Sequence, residues 1–252
     1  MKTKKTNRYG NGLKKFGLCA FTAALISVNV CQPYIYPVYA DDVQEESSAQ
    51  AEIETMYIST VDDFLEFAAN CYIDSWSVNK KIVLRNNLDF TGRELVMVPV
   101  FAGEFDGNGH TISGIDFTGE SYVTAIFRYV EENGVIDSLN VKGNIAALDE
   151  QECVGGIVGS NYGTIKNCSF EGTVNGKNTI GGIAAFNKST GVIKKCEVRG
   201  RITGSYYTGG ITGINHGIIN NCANAAGIND DSAWVESEDE NISNIIGNIT
   251  GN

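Results

Sequence analysis

The sequence predicts an all-β chain folded as a right-handed parallel β-helix with a short N-terminal α-helical cap. Three observations predict it. Three passages repeat with fixed internal spacing, their segments are too short for helices and alternate in polarity, and one amphipathic stretch precedes them.

The passages are VGGIVGSNYGTIKNCSFEGTV from Val154, IGGIAAFNKSTGVIKKCEVRGRI from Ile180 and TGGITGINHGIINNCANAAGI from Thr208. The first glycine of each pair (155-156, 181-182, 209-210) lies six residues before an asparagine: Asn161, Asn187 or Asn215. Each turn glycine, Gly163, Gly191 or Gly217, lies five residues before a cysteine: Cys168, Cys196 or Cys222. Length varies only between these blocks, as it does where strands are joined by turns. One repeat of 26 or 28 residues cannot bury an apolar face alone. Stacked as coils about 4.8 Å apart, the repeats bury a shared one.

The alternation predicts Ile165, Ile193 and Ile219 inward and Lys166, Lys194 and Asn220 outward. Ile157, Ile183 and Ile211 stack in the core, with Ile126 before them and Ile249 after. The three asparagines form an amide ladder at a corner. The three cysteines form an inward ladder, with Leu139 in the matching upstream place. These thiols are expected as small core residues, because stacked side chains sit wider than the Cβ spacing of roughly 3.5–4.5 Å that a disulfide needs. The repeated glycines are expected to supply positive φ at tight corners.

The elements follow in order. Residues 1–40 read as a secretory signal. Lys2, Lys4, Lys5, Arg8, Lys14 and Lys15 precede an uncharged apolar run from Phe16 to Val30, and Val38-Tyr39-Ala40 offers a cleavage site. Cleavage removes six of 19 basic residues and none of 30 acids, leaving a net charge near −17. That charge argues against nucleic acid and against anionic membrane surfaces. Residues 41–55 are acidic and polar and read as a disordered linker. Residues 56–100 form the N-terminal cap. Tyr57-Ile58 is a short strand, Ser59 or Thr60 caps a helix from Val61, and Phe64, Phe67 and Ala68 share its apolar face. Ile82-Val83-Leu84 and Leu88-Asp89-Phe90 follow as strands. Residues 101–252 are the coils. The sequence IIGNITGN restarts the double-glycine block and stops mid-coil, so further C-terminal coils or domains are expected.

The blocks Gly155-Gly156-Ile157-Val158-Gly159 and Gly209-Gly210-Ile211-Thr212-Gly213 resemble those of GLUG-motif bacterial surface proteins, with Ala185 replacing the last glycine in the middle repeat. The passage FAGEFDGNGHTISGIDF is similar to the entry segment of such proteins and of pectate-lyase-like β-helices. The resemblance covers roughly residues 56 to 252. It implies a secreted or wall-associated, adhesin-like protein. Related modules precede the catalytic domain of immunoglobulin A1 metallopeptidases, but their H-E-x-x-H zinc motif is missing from this sequence.

Catalytic chemistry finds little to rest on. The two histidines, His110 and His216, sit at turns, and no nucleophile elbow, phosphate loop or dinucleotide fingerprint occurs. Glu104, Asp106 and Asp116 are near one another in sequence and form a candidate acidic cluster. Glu171 and Glu197 lie at near-equivalent places, offset by one position. No cofactor or metal is implied. Two surfaces stand out for binding. Lys166, Lys194, Lys195, Lys177, Arg199 and Arg201 make a basic face, and stacked Lys166 and Lys194 need an anion or nearby acids between them. The acidic insertion Asn229 to Asn241 carries Trp234, and Tyr162, Tyr206 and Tyr207 offer an aromatic strip for host glycans or extracellular proteins. The reading is a non-catalytic binding or scaffold module. A carbohydrate-active β-helix enzyme and an accessory module of a larger surface peptidase are the alternatives.

Overall fold

The computed structural model describes residues 53–148 and 153–229, and the backbone of the strand Asn248–Ile249. The predicted signal and nearly all of the linker lie outside the described residues, as do Trp234 and the acidic insertion beyond Asn229.

The chain is a parallel β-solenoid of about six turns. Each full coil lays one strand on each of four sheets. Val135–Asp137 lies on sheet 1, Asn140–Ala147 on sheet 2, Cys153–Gly155 on sheet 3 and Val158–Asn161 on sheet 4. The next coil repeats the order with Thr164–Lys166, Ser169–Asn175, Thr179–Gly181 and Ala184–Asn187. Among the described residues, sheet 1 has seven strands, sheet 2 six, and sheets 3 and 4 five each.

Register follows the repeats. Ile136, Ile165, Ile193 and Ile219 stack on sheet 1. Ile126, Ile157, Ile183 and Ile211 are all fully buried and joined by backbone hydrogen bonds from coil to coil. Val130 takes the asparagine place of the earlier coil. The expectation for Ile249 fails. Asn248–Ile249 pairs antiparallel to Tyr207–Gly209, with Ile249 opposite Tyr207, so it does not continue the isoleucine ladder. A reversed segment can still satisfy the open backbone groups of that edge strand.

The N-terminal end is closed as the sequence predicts. Thr60 caps the helix α1, Val61–Asn70. Its hydroxyl accepts from the Asp63 N–H, and the Asp63 carboxylate accepts from the Thr60 N–H. Phe64, Phe67 and Ala68 are buried. Phe67 stands between the rings of Phe101, Phe105 and Phe127, at centroid distances of 5.9, 5.7 and 6.5 Å. One helical face thus fills the mouth of the coil with aromatic rings, which covers open core that would otherwise meet water. The first strand, Glu54–Ile58, begins earlier than Tyr57 because it pairs along Lys80–Leu84, where Lys80 also meets Glu54.

The double glycines and the turn glycines serve clearance rather than positive φ, whereas Gly143, Gly172 and Gly200, stacked on sheet 2, do take positive φ of 157°, 150° and 112°. None of the double glycines, nor Gly163, Gly191 or Gly217, has positive φ. A Cβ on Gly163 would strike the carbonyl oxygens of Gly134 and Glu131, and one on Gly156 would strike that of Gly182. The left-handed corner is held instead by Ser138, Asn167, Lys195 and Asn221, at φ of 53°, 54°, 53° and 52°. Asparagine tolerates that region better than most residues, and stacking fixes the same turn in each coil.

Candidate binding surface

The outward column of sheet 1 runs Val83, Asp106, Asp137, Lys166, Lys194, Asn220. Lys166 is relieved by an acid. Its Nζ lies 3.0 Å from Asp137 Oδ2, while Asn167 and Ser138 donate to Asp137 Oδ1 at 2.8 and 2.9 Å. Burial opposes ionisation of Asp137, yet these hydrogen bonds and the Lys166 charge outweigh it and hold the carboxyl below its ordinary value. Lys194, one coil further, is exposed and forms no ion pair among the described residues. Lys81 sits 2.7 Å from Glu104 and 3.4 Å from Asp106, and its pKa is raised mainly by the hydrogen bond to Glu104.

Sheet 2 carries an alternating ladder: Lys142, Glu171, Arg199. Lys142 lies 2.8 Å from Glu171, and Arg199 donates from Nε and Nη2 to the single oxygen Oε1 of Glu197 on its own strand, at 2.8 and 2.6 Å. Within the basic face, Lys166 and Arg199 are therefore charge-paired, whereas Lys194 is not among the described residues. Glu197 stands opposite Ser169 and Glu171 opposite Arg199, an offset of two positions rather than one. Because side chains alternate with period two, this keeps both acids on the outer face. The acidic cluster divides. Glu104 and Asp106 belong to sheet 1 beside Lys81, whereas Asp116 is exposed on sheet 2 opposite Asn144.

The tyrosines divide as well. Tyr206 and Tyr207 are half exposed at the start of the last parallel strand of sheet 3. Tyr162 lies at the corner between sheets 4 and 1, with Lys188 Nζ 5.9 Å from its ring centroid. His110 Nδ1 lies 3.3 Å from Asn87 Oδ1 beside the turn, and His216 is an exposed corner residue.

The cysteine ladder lies inward. Cys168 and Cys196 are 2% exposed and Cys222 is partly buried. All five described cysteines are free thiols. The ladder thiols donate to carbonyls two residues back, Lys166 O at 3.1 Å, Lys194 O at 3.4 Å and Asn220 O at 3.5 Å. The hydrogen bond with Cys168, together with burial, pushes the Cys196 thiol up to about 12. The sequence reading missed Arg128, Tyr129, Phe186 and Lys188. Their cation–aromatic contacts, Arg128 to Tyr129 at 5.1 Å and Lys188 to Phe186 at 4.1 Å, arise only once sheet 4 is built. The one available signal was the R-Y and F-N-K sequence beside the asparagine position.

No helix of the described residues is long and apolar enough to cross a membrane. Residues 150–175 match the family model of the GLUG motif. A stretch of 85 residues is 38% identical to Halomucin of Haloquadratum walsbyi, covering 33% of this chain and 1% of that protein. Another of 74 residues is 35% identical to a putative Gly-rich membrane protein of Evansella cellulosilytica, covering 28% of this chain and 8% of that protein. The chain thus spans a small fraction of the length of these relatives. No solved structure gives a significant match. A GLUG motif at residues 150–175 thus sits within a chain folded as a parallel β-solenoid.

Proposed function

We propose that the chain is a secreted or cell-surface module that binds and spaces rather than catalyses, adhesin-like in use, with host glycans or extracellular proteins as partners. The observation that carries this reading is how the ionisable side chains are used. Asp137 with Lys166, Glu104 and Asp106 with Lys81, and Glu171 with Lys142 each join one coil to the next. The candidate acids of a glycosidase or lyase are spent on these ladders or separated onto different sheets. A catalytic carboxylate pair would instead converge on one cleft. The matches to Halomucin and to a Gly-rich membrane protein support placement at a cell surface. The acidic net charge supports partners other than nucleic acid and use without membrane insertion.

The test is binding of the purified full chain to a panel of glycans and extracellular matrix proteins, with the glycans analysed for products. Saturable binding with intact glycans is expected. Cleavage products that persist through repurification would overturn the reading.

A further inference from the structure

Sheets 3 and 4 enclose a second apolar cluster outside the main core. Val123, Cys153 and Ala185 are buried there, with Tyr129 and Phe186 packed against them. Val123, Cys153, Thr179 and Tyr207 form one column of sheet 3. Their strand neighbours Val154 and Ile180 belong to the main core, so this column points outward. On sheet 4, Gly159 and Ala185 meet this column, and the next positions along those strands stack as Tyr129, Ser160, Phe186 and Ile214, with Tyr129 and Phe186 packed against the cluster. Outward side chains that are nevertheless buried require the two sheets to meet at a re-entrant angle. Their outer faces therefore line a groove parallel to the solenoid axis. The closing glycine of the motif makes room for it: a Cβ on Gly159 would strike Val123 Cγ1 and the Arg128 carbonyl.

Two cations lie over this apolar floor. Lys188 stands 4.1 Å from the Phe186 ring centroid, and the Arg128 guanidinium 5.1 Å from that of Tyr129. Neither forms an ion pair among the described residues, and Arg128 Nε is buried without a hydrogen-bond partner. Elsewhere Lys80, Lys81, Arg93, Lys142, Lys166 and Arg199 meet carboxylates, while Lys194 on sheet 1 stands alone among the described residues and Arg85 lies over Tyr57 at 3.6 Å. Glu131, two coils from Lys188 along the same corner, forms no ion pair with it. In so acidic a chain, cations held over aromatic rings away from acids remain available to an outside anion.

We propose that this groove binds an acidic polysaccharide lengthwise, with sugar faces against Tyr129, Phe186 and Tyr207 and carboxylates on Lys188 and Arg128. The walls are sheet faces whose backbone hydrogen bonds run from coil to coil, so they offer side chains and no open strand edge. An acidic peptide would leave its own backbone groups unpaired there. A chain of sugar rings needs only ring faces and charge. Tyr129 and Phe186 are two coils apart, roughly 9.6 Å at about 4.8 Å per coil, a periodic placement that suits a repeating ligand. The inference deepens the reading of the chain as a binding module and rests on it.

The test is calorimetric titration of the full chain with polygalacturonate, alongside neutral dextran and poly-glutamate, at low and physiological salt. Polygalacturonate is expected to bind and dextran and poly-glutamate to bind at least about tenfold more weakly. Lys188→Gln and Arg128→Gln should each weaken binding about tenfold, and Phe186→Leu should weaken it while keeping the groove filled. Arg93→Gln, beside the N-terminal cap and paired with Asp62, should change it less than about twofold. Circular dichroism and melting of each variant separate lost contact from lost fold. Two results would overturn the groove: equal losses from Arg93→Gln and Lys188→Gln, or poly-glutamate bound as tightly as the polyuronate. Absence of polyuronate binding would also overturn it, and would leave the wider binding reading to the panel experiment.

Discussion

The Asn161 side chain donates its amide to Asn187 Oδ1 at 2.8 Å, and Asn187 passes the same bond to Asn215 at 2.7 Å. Each amide also donates to a carbonyl just past its own corner: Gly163, Gly191 or Gly217. The ladder has a defect at its start. Asn161 Oδ1 is buried with no donor, because Val130 occupies the preceding rung. An unpaired buried acceptor costs about 1–3 kcal/mol.

Val130→Asn should extend the ladder by supplying the missing donor. Lost apolar burial offsets much of the gain, so the single variant should change stability little. In an Asn161→Val background the same change should cost about 2 kcal/mol or more, since the new amide then has no acceptor above it. A double-mutant cycle by urea unfolding reads the coupling, and additive costs would refute the ladder.

Gly156→Ala and Gly163→Ala should each destabilise by about 1–3 kcal/mol, because the added methyl meets backbone of the adjoining coil, which cannot yield as a side chain can. Gly92→Ala, with φ of 72° in open space, should cost only the strain of a left-handed alanine, about 1 kcal/mol. Equal melting losses at all three positions would contradict the assignment of clearance to the repeated glycines.

Asp137 sets a pH dependence. Its folded pKa is depressed, so its contribution is fully present above the unfolded value of about 3.9 and is lost as pH falls through the folded value. Asp137→Asn should therefore cost about 1 kcal/mol at pH 7 and less at pH 3. Stability curves at both values check it, and a pH-independent loss would point to packing instead.

Cys196 and Cys222 should be inert in the folded protein. With Cys196 at about 12 and Cys222 also raised, mainly by its hydrogen bond with Cys196, little thiolate exists at pH 8. Iodoacetamide should label them only at the unfolding rate, which mass spectrometry follows.

Phe67→Ala should remove the centre of the aromatic cap and cost about 3–5 kcal/mol. A loss confined to local opening of α1, seen by hydrogen exchange, would show that the coils stand without their cap.

The coil and its phase were legible because they are local. A repeat with fixed spacing dictates which residue stacks on which, so the isoleucine, asparagine and cysteine ladders and the Lys166–Lys194 column could be drawn from spacing alone. The helix cap was legible for the same reason, from Thr60, Asp63 and the spacing of Phe64, Phe67 and Ala68. The acidic cluster of Glu104, Asp106 and Asp116 misled because nearness in sequence crosses a corner of the coil and ends on two different faces.

The sequence by itself determined the period of the coil and the inward or outward sense of nearly every strand residue, since both follow from a two-residue alternation repeated at fixed intervals. Only the tertiary structure decided what the glycines are for and where the outer faces meet. Clearance between Gly156 and the Gly182 carbonyl, or the approach of Val123 to Gly159 at the re-entrant angle, depends on the bend between strands. That bend is set by the packing of whole coils, which no single repeat encodes.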